Sequence, residues 1–135
     1  MSELGYFPFG QPVLPVSQHD RSPKSVFVLG VYASAVHARW RDHSGRTLVS
    51  ALAVRSEPSI FWRGEDAAEL VSQIPVSPGA GSLEPAAGRF NGPSGLALDQ
   101  QFLQPLGISR DQAWLADLAP IRQKLTPPGG PERVV

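Results

Sequence analysis

The chain has no cysteine among its 135 residues. That excludes disulfides, thiolate metal sites and a cysteine-held iron–sulfur cluster. Charge of one sign is also missing: 12 Lys and Arg stand against 12 Asp and Glu. No global field therefore draws the protein to nucleic acid or a membrane surface, although a local basic patch stays open. No stretch approaches the ~20 apolar residues of a membrane span. The opening residues, Met-Ser-Glu-Leu-Gly, have neither a basic segment nor an apolar signal core, so a soluble, cytoplasmic protein is expected. Histidine is scarce, and His37 and His43 do not have metal-ligand spacing, so neither a metal nor a cofactor is expected. The Gly-x-Ser-x-Gly nucleophile turn is absent, which argues against a hydrolase built on Ser34 or Ser94.

What is present is one domain's length of chain, 41% hydrophobic, punctuated by 14 Pro and 13 Gly. It divides into an irregular N-terminal arm (1–25), an α/β domain (26–125) and an irregular tail (126–135). The prolines of the arm forbid regular helix, its aromatics are expected to pack on a sheet edge, and His19-Asp20-Arg21 reads as a polar turn.

The domain is organised around residues 26–35, Val-Phe-Val-Leu-Gly-Val-Tyr-Ala-Ser-Ala. A continuous β-branched and aromatic run predicts a strand buried on both faces, with Gly30 marking its end. Ligands of open α/β sheets sit beyond the carboxyl ends of strands, which makes Tyr32 and Ser34 the first site candidates. Asp42-His43-Ser44-Gly45 is a turn signal between two β runs and predicts a hairpin. The hairpin carries Arg39, Arg41 and Arg46, a cluster suited to phosphate contact. Residues 65–74 have a helical pattern stopped by Pro75, and residues 76–87 read as loop. The glycines around Phe90 and Asn91 allow close approach to a ligand, and a helix starting near Ser94 or Gly95 would offer its N-terminus to an anion. Leu96, Leu98, Phe102, Leu103 and Leu106 give that helix an apolar face, and Gly107 ends it. Ser109 and Gln112 have capping-box spacing. Residues 113–118 then predict a second buried parallel strand, in which Asp117 must be paired or functional.

Three pieces in order carry a family resemblance: Phe90-Asn91-Gly92-Pro93-Ser94-Gly95-Leu96-Ala97-Leu98-Asp99, then Leu106-Gly107-Ile108-Ser109-Arg110, then Ala113-Trp114-Leu115-Ala116-Asp117-Leu118. They resemble the middle of the uracil-DNA glycosylase superfamily, and Gly30-Val31-Tyr32-Ala33-Ser34 falls where that family has its first motif. The resemblance implies a three-layer αβα domain with a small, mainly parallel central sheet, here with a β-hairpin excursion, that flips a base into a pocket. It implies that Phe90 stacks on the base, that Asn91 and Asp117 contact it, and that Tyr32 or Ser34 stands at the catalytic position. Arg39, Arg41, Arg46 and Ser94 would contact phosphate or DNA. An ionised Asp at 117 offers only acceptors where the family has Asn, so it favours a base edge rich in N–H donors. Tyr32 is a poor substitute for a carboxylate base, with an ordinary pKa near ~10. The family's later strand and His-containing loop have no counterpart. The expectation is therefore an incomplete domain that binds DNA, a free nucleobase or a nucleotide, and that would be a base-excision DNA glycosylase when complete. Its sheet would be completed by self-association or by a missing C-terminal segment. The competing expectation is a non-catalytic α/β module used for protein interaction.

Overall fold

The computed structural model describes residues 5–18 and 22–119, without the side chains of Tyr32 and Ala119. The polar turn expected at residues 19–21 and the tail beyond Ala119 lie outside the described residues. The chain forms β1 (Val26–Tyr32), β2 (Ala35–Arg41), β3 (Thr47–Ser56), α1 (Ala67–Ser72), β4 (Ser82–Pro85), α2 (Pro93–Ala97), α3 (Gln104–Leu106) and β5 (Ala113–Ala119). A π-helical stretch, Leu98–Leu103, joins α2 to α3 into one continuous rod. Gly107, at φ 66°, ends it in the left-handed conformation that favours glycine.

The strands form two sheets of opposite character. β1 and β5 pair in parallel, with Val26 opposite Ala113 and Gly30 opposite Asp117. β3, β2 and β4 form an antiparallel sheet in that order. The β2–β3 hairpin closes where expected: Asp42 Oδ1 accepts from the Ser44 N–H at 2.9 Å and the Arg46 N–H at 3.0 Å, and Gly45 takes φ 85°. The architecture is thus mixed α/β, but the parallel part is only two strands and the antiparallel sheet is the larger one. The difference comes from β4. Its residues lie within a Pro- and Gly-rich stretch that reads as loop, and pairing with β2 makes them a strand.

Three apolar clusters hold the fold. One lies between the parallel pair and the rod, joining Leu98, Leu103, Ala113 and Leu115 with Val26 and Val28 packed on it. A second lies between the antiparallel sheet and α1, where Val36, Val54, Val71 and Ile74 surround Trp62. The third seats the arm, with Phe7 and Val13 against Ala35 and Ala53. The arm is fixed further by Phe9, whose ring meets Trp40 edge-on at 5.5 Å, and by Ser56 Oγ, which bonds both the N–H and the carbonyl of Leu14.

Two features of β1 depart from expectation. Gly30 is inside the strand rather than at its end, because Asp117 leans across it. The strand is also not buried on both faces: Val26 and Val28 face the rod, while Phe27, Leu29 and Val31 are exposed. An uninterrupted apolar run looks alike whether or not a second layer covers it. The rod behaves similarly, burying Leu98 and Leu103 but exposing Leu96, Phe102 and Leu106.

Candidate functional site at the strand ends

The carboxyl ends of β1 and β5 open onto a small hollow. The register sets Asp117 opposite Gly30, and a Cβ on Gly30 would overlap Asp117 Oδ1 and come within 3.0 Å of Phe61 Cζ. Glycine here is a condition of the site, since it lets a carboxyl group and a ring edge meet directly over the backbone. Val31, Ser34, Glu57 and Ser94 complete the lining of a cavity of ≈ 60 Å³. Since liquid water takes about 30 Å³ per molecule, that space receives the edge of a planar group rather than a whole ligand. Burial pushes the Asp117 carboxyl above its ordinary pKa. Glu57, which is buried where Asp117 is only half-buried, lines the same wall.

Phe61 is the residue that sequence reasoning missed. It takes φ 50°, unusual for a side chain of its size. The position is imposed by main-chain packing: the carbonyls of Phe61 and Trp62 lie so close to Gly95 that any Cβ there would overlap both. Trp62, almost wholly buried, anchors the turn by donating from Nε1 to the Glu65 carbonyl at 3.0 Å. Arg110 then ties the pieces together. Its Nε donates to Asp99 Oδ1 at 2.8 Å and its Nη2 to the Gly95 carbonyl at 3.1 Å; Nη1 reaches the Ile60 carbonyl at 3.4 Å. Arg63 pairs with the other oxygen of Asp99. Burial pushes the Asp99 carboxyl up, but the hydrogen bonds from Arg63 and Arg110 outweigh it and hold the pKa below the ordinary value. The single signal in the sequence was the aromatic-rich connection Ile60-Phe61-Trp62; nothing in it marks a positive φ.

The other expected site residues are divided. Asp117, Ser34 and Ser94 share the hollow. Tyr32 ends β1 opposite Ala119, and its side chain lies outside the described residues. Phe90 is in the tight turn Gly88–Phe90, with the Arg89 guanidinium 4.8 Å from its ring centre, and does not line the hollow. Asn91 is buried, and its side chain is committed to the main chain of β2: Oδ1 accepts from the His37 N–H at 2.8 Å and Nδ2 donates to the His37 carbonyl at 3.1 Å. It continues the edge of the antiparallel sheet past β4 as a one-residue strand would. Two of the three arginines of the basic cluster, Arg39 and Arg41, share one carboxylate within the fold. Arg39 Nη2 lies 2.6 Å and Arg41 Nε 3.2 Å from Glu84 Oε2, and these partners, with the Arg39 hydrogen bond foremost, hold the Glu84 carboxyl below its ordinary pKa. Arg46 is exposed beside the hairpin turn. Among the described residues no three His, Cys, Asp or Glu side chains gather as a metal site, and no helix is long and apolar enough to cross a membrane.

No family model, curated protein or solved structure matches this chain.

Proposed function

We propose that the protein is a cytoplasmic, uracil-DNA glycosylase-like α/β domain that binds a nucleobase, free or displaced from DNA, by its edge at the hollow between Phe61 and Asp117. The observation that carries this reading is the meeting of a carboxyl group and a ring edge over Gly30, at the carboxyl ends of parallel strands. Phe61, rather than Phe90, supplies the aromatic contact for a base. Asp117 accepts from N–H donors on the base edge, and the Ser34 and Ser94 hydroxyls can bond either donors or acceptors. The ion pair of Asp99 with Arg110 supports the same reading, because it physically joins two of the pieces in which the resemblance was found. With its later strand and His-containing loop supplied, such a domain would be a base-excision glycosylase.

The test is binding of fluorescent single-stranded and mismatched oligonucleotides. An edge-on aromatic contact is worth about 0.5–1.5 kcal/mol, so Phe61→Ala should weaken binding by roughly 2- to 13-fold. Asp117→Ala should weaken it as well, and Phe90→Ala should leave it unchanged. Equal binding by wild type, Phe61→Ala and Asp117→Ala would remove the proposal. Assays on uracil, hypoxanthine and xanthine substrates should show no base release by this chain alone. The second reading, a non-catalytic module for protein interaction, is favoured by the exposed apolar face of β1.

A further inference from the structure

The parallel pair has two edges, and they are treated differently. At β5, the Gln18 side chain donates to the Ala113 carbonyl at 3.1 Å and accepts from the Leu115 N–H at 2.7 Å, closing the start of that edge. At β1, no strand among the described residues pairs the edge away from β5. Natural edge strands are protected by charge, proline or a bulge, and residues 26–35 contain neither a charged residue nor a proline. Phe27, Leu29 and Val31 stand on one face of this strand beside Leu118 of β5. Phe102 and Leu106 flank it across an apolar groove of ≈ 620 Å³. These six side chains are between 56% and 74% exposed. At roughly 200 Å² for a fully exposed residue of this size, they offer about 700 Å² of surface. The four on the outer face, Phe27, Leu29, Val31 and Leu118, supply about 500 Å² of it, at the upper end of the ~300–600 Å² usual for the largest patch on a monomer.

We propose that two copies of the chain pair their β1 edges antiparallel about a two-fold axis at Leu29, forming a continuous sheet in the order β5-β1-β1-β5. The strand is self-complementary in that register. Leu29 meets Leu29 of the second copy, and Phe27 meets Val31 twice, an aromatic against a β-branched residue, which is a favourable cross-strand pair. A two-fold interface must match itself in this way. The balanced charge of 12 basic and 12 acidic residues sets no long-range repulsion against it.

Sedimentation or light scattering on the full chain at micromolar concentration should give twice its 14.5 kDa. Leu29→Lys and Leu29→Glu each place like charges on the axis and should each give the monomer mass. Mixed in equal amounts they should recover the dimer, which only folded partners can do. Leu29→Cys, introduced into a chain free of other thiols, should link copies on oxidation, because opposed Cβ atoms lie about 5 Å apart. Phe27→Cys should not, since its two copies fall about 13 Å apart in this register. A monomeric wild type, two charged variants that both stay dimeric, folded variants that fail to recover the dimer on mixing, or linkage through position 27 instead of 29 would each overturn the proposal. A monomer that dimerises only after residues 120–135 are removed would overturn it too, and would give the edge to that segment.

Discussion

Replacing Gly95 by alanine sets helix propensity against tertiary packing. Gly95 lies in the first turns of the rod, where alanine by itself would stabilise by about 0.5–1 kcal/mol. The Cβ, however, would overlap the carbonyls of Phe61 and Trp62. These are main-chain atoms in a turn fixed by buried Trp62 and by Arg110, so neither can rotate away as a side-chain tip would. Overpacking of this kind costs about 1–3 kcal/mol. Because the backbone must shift, the upper end applies, and the net loss should be about 2 kcal/mol. For a domain of this length that lowers Tm by roughly 5–10 °C. Circular dichroism melts of wild type and Gly95→Ala read this directly. Gly30→Ala is the control. The atoms in its way are the tips of Asp117 and Phe61, which can swing aside, so stability should stay within about 1 kcal/mol of wild type. Oligonucleotide binding should nevertheless fall, because the swing opens the hollow. A Gly95→Ala protein with an unchanged or raised Tm would refute the argument that Phe61 is positioned by backbone packing.

The two half-buried acids, Asp99 and Asp117, should respond to pH in opposite directions. Asp99 has its pKa depressed below the ordinary 3.8, so its stabilisation is complete above that value and is lost as pH falls through the lower folded pKa. Asp99→Asn should therefore cost about 1–2 kcal/mol at neutral pH, with the gap from wild type closing in acid melts. Asp117 has its pKa raised above 3.8, so its ionisation penalises the fold as pH rises through that range. Asp117→Asn should melt above wild type at neutral pH and match it in acid; a variant less stable at neutral pH would contradict the burial argument. Asn91→Ala strips the N–H and the carbonyl of His37 of the buried amide, and should lower unfolding free energy by about 1–3 kcal/mol in urea titrations without weakening oligonucleotide binding.

How much of this was legible in the sequence depends on what sets each feature. β1 shows in the sequence because a β-branched and aromatic run carries strand preference locally, and β5, which has no β-branched residue, shows as a short apolar run after a turn. The hairpin turn shows because Asp42 and Gly45 act within four residues, and the end of the rod shows because Gly107 carries the left-handed conformation itself. β4 does not show: four residues, Ser-Leu-Glu-Pro, have no period to read, and β2 alone makes them a strand. The same pairing brings Glu84 to Arg39 and Arg41, so two of the three arginines in that basic stretch share one acid that the sequence places more than forty residues away. Asn91 and Gln18 each substitute for a strand at a sheet edge, a use of the side-chain amide with no local pattern. The glycine-flanked Phe90 looks the better base contact because glycines mark ligand approach; here the glycine at 95 serves the approach of Phe61's own backbone.

Phe61 holds a left-handed conformation, which costs of order 1–3 kcal/mol for a non-glycine residue, and it stands beside a carboxyl that burial disfavours in its charged form. Main-chain packing against Gly95 imposes the first feature, and glycine at 61 and asparagine at 117 would relieve both costs. The costs meet at one cavity, at the carboxyl ends of the parallel strands, and the Arg110 network holds the turn against them. Strained backbone and perturbed carboxyls cluster at functional sites, and that is the ground on which the hollow is proposed as a binding site. The hollow lies at the carboxyl end of β1 and the proposed pairing is centred on Leu29, so the two proposals are tested by different substitutions and can fail separately. A monomeric protein whose Phe61→Ala and Asp117→Ala variants lose oligonucleotide binding would keep the hollow and lose the dimer; a dimer indifferent to those substitutions would do the reverse.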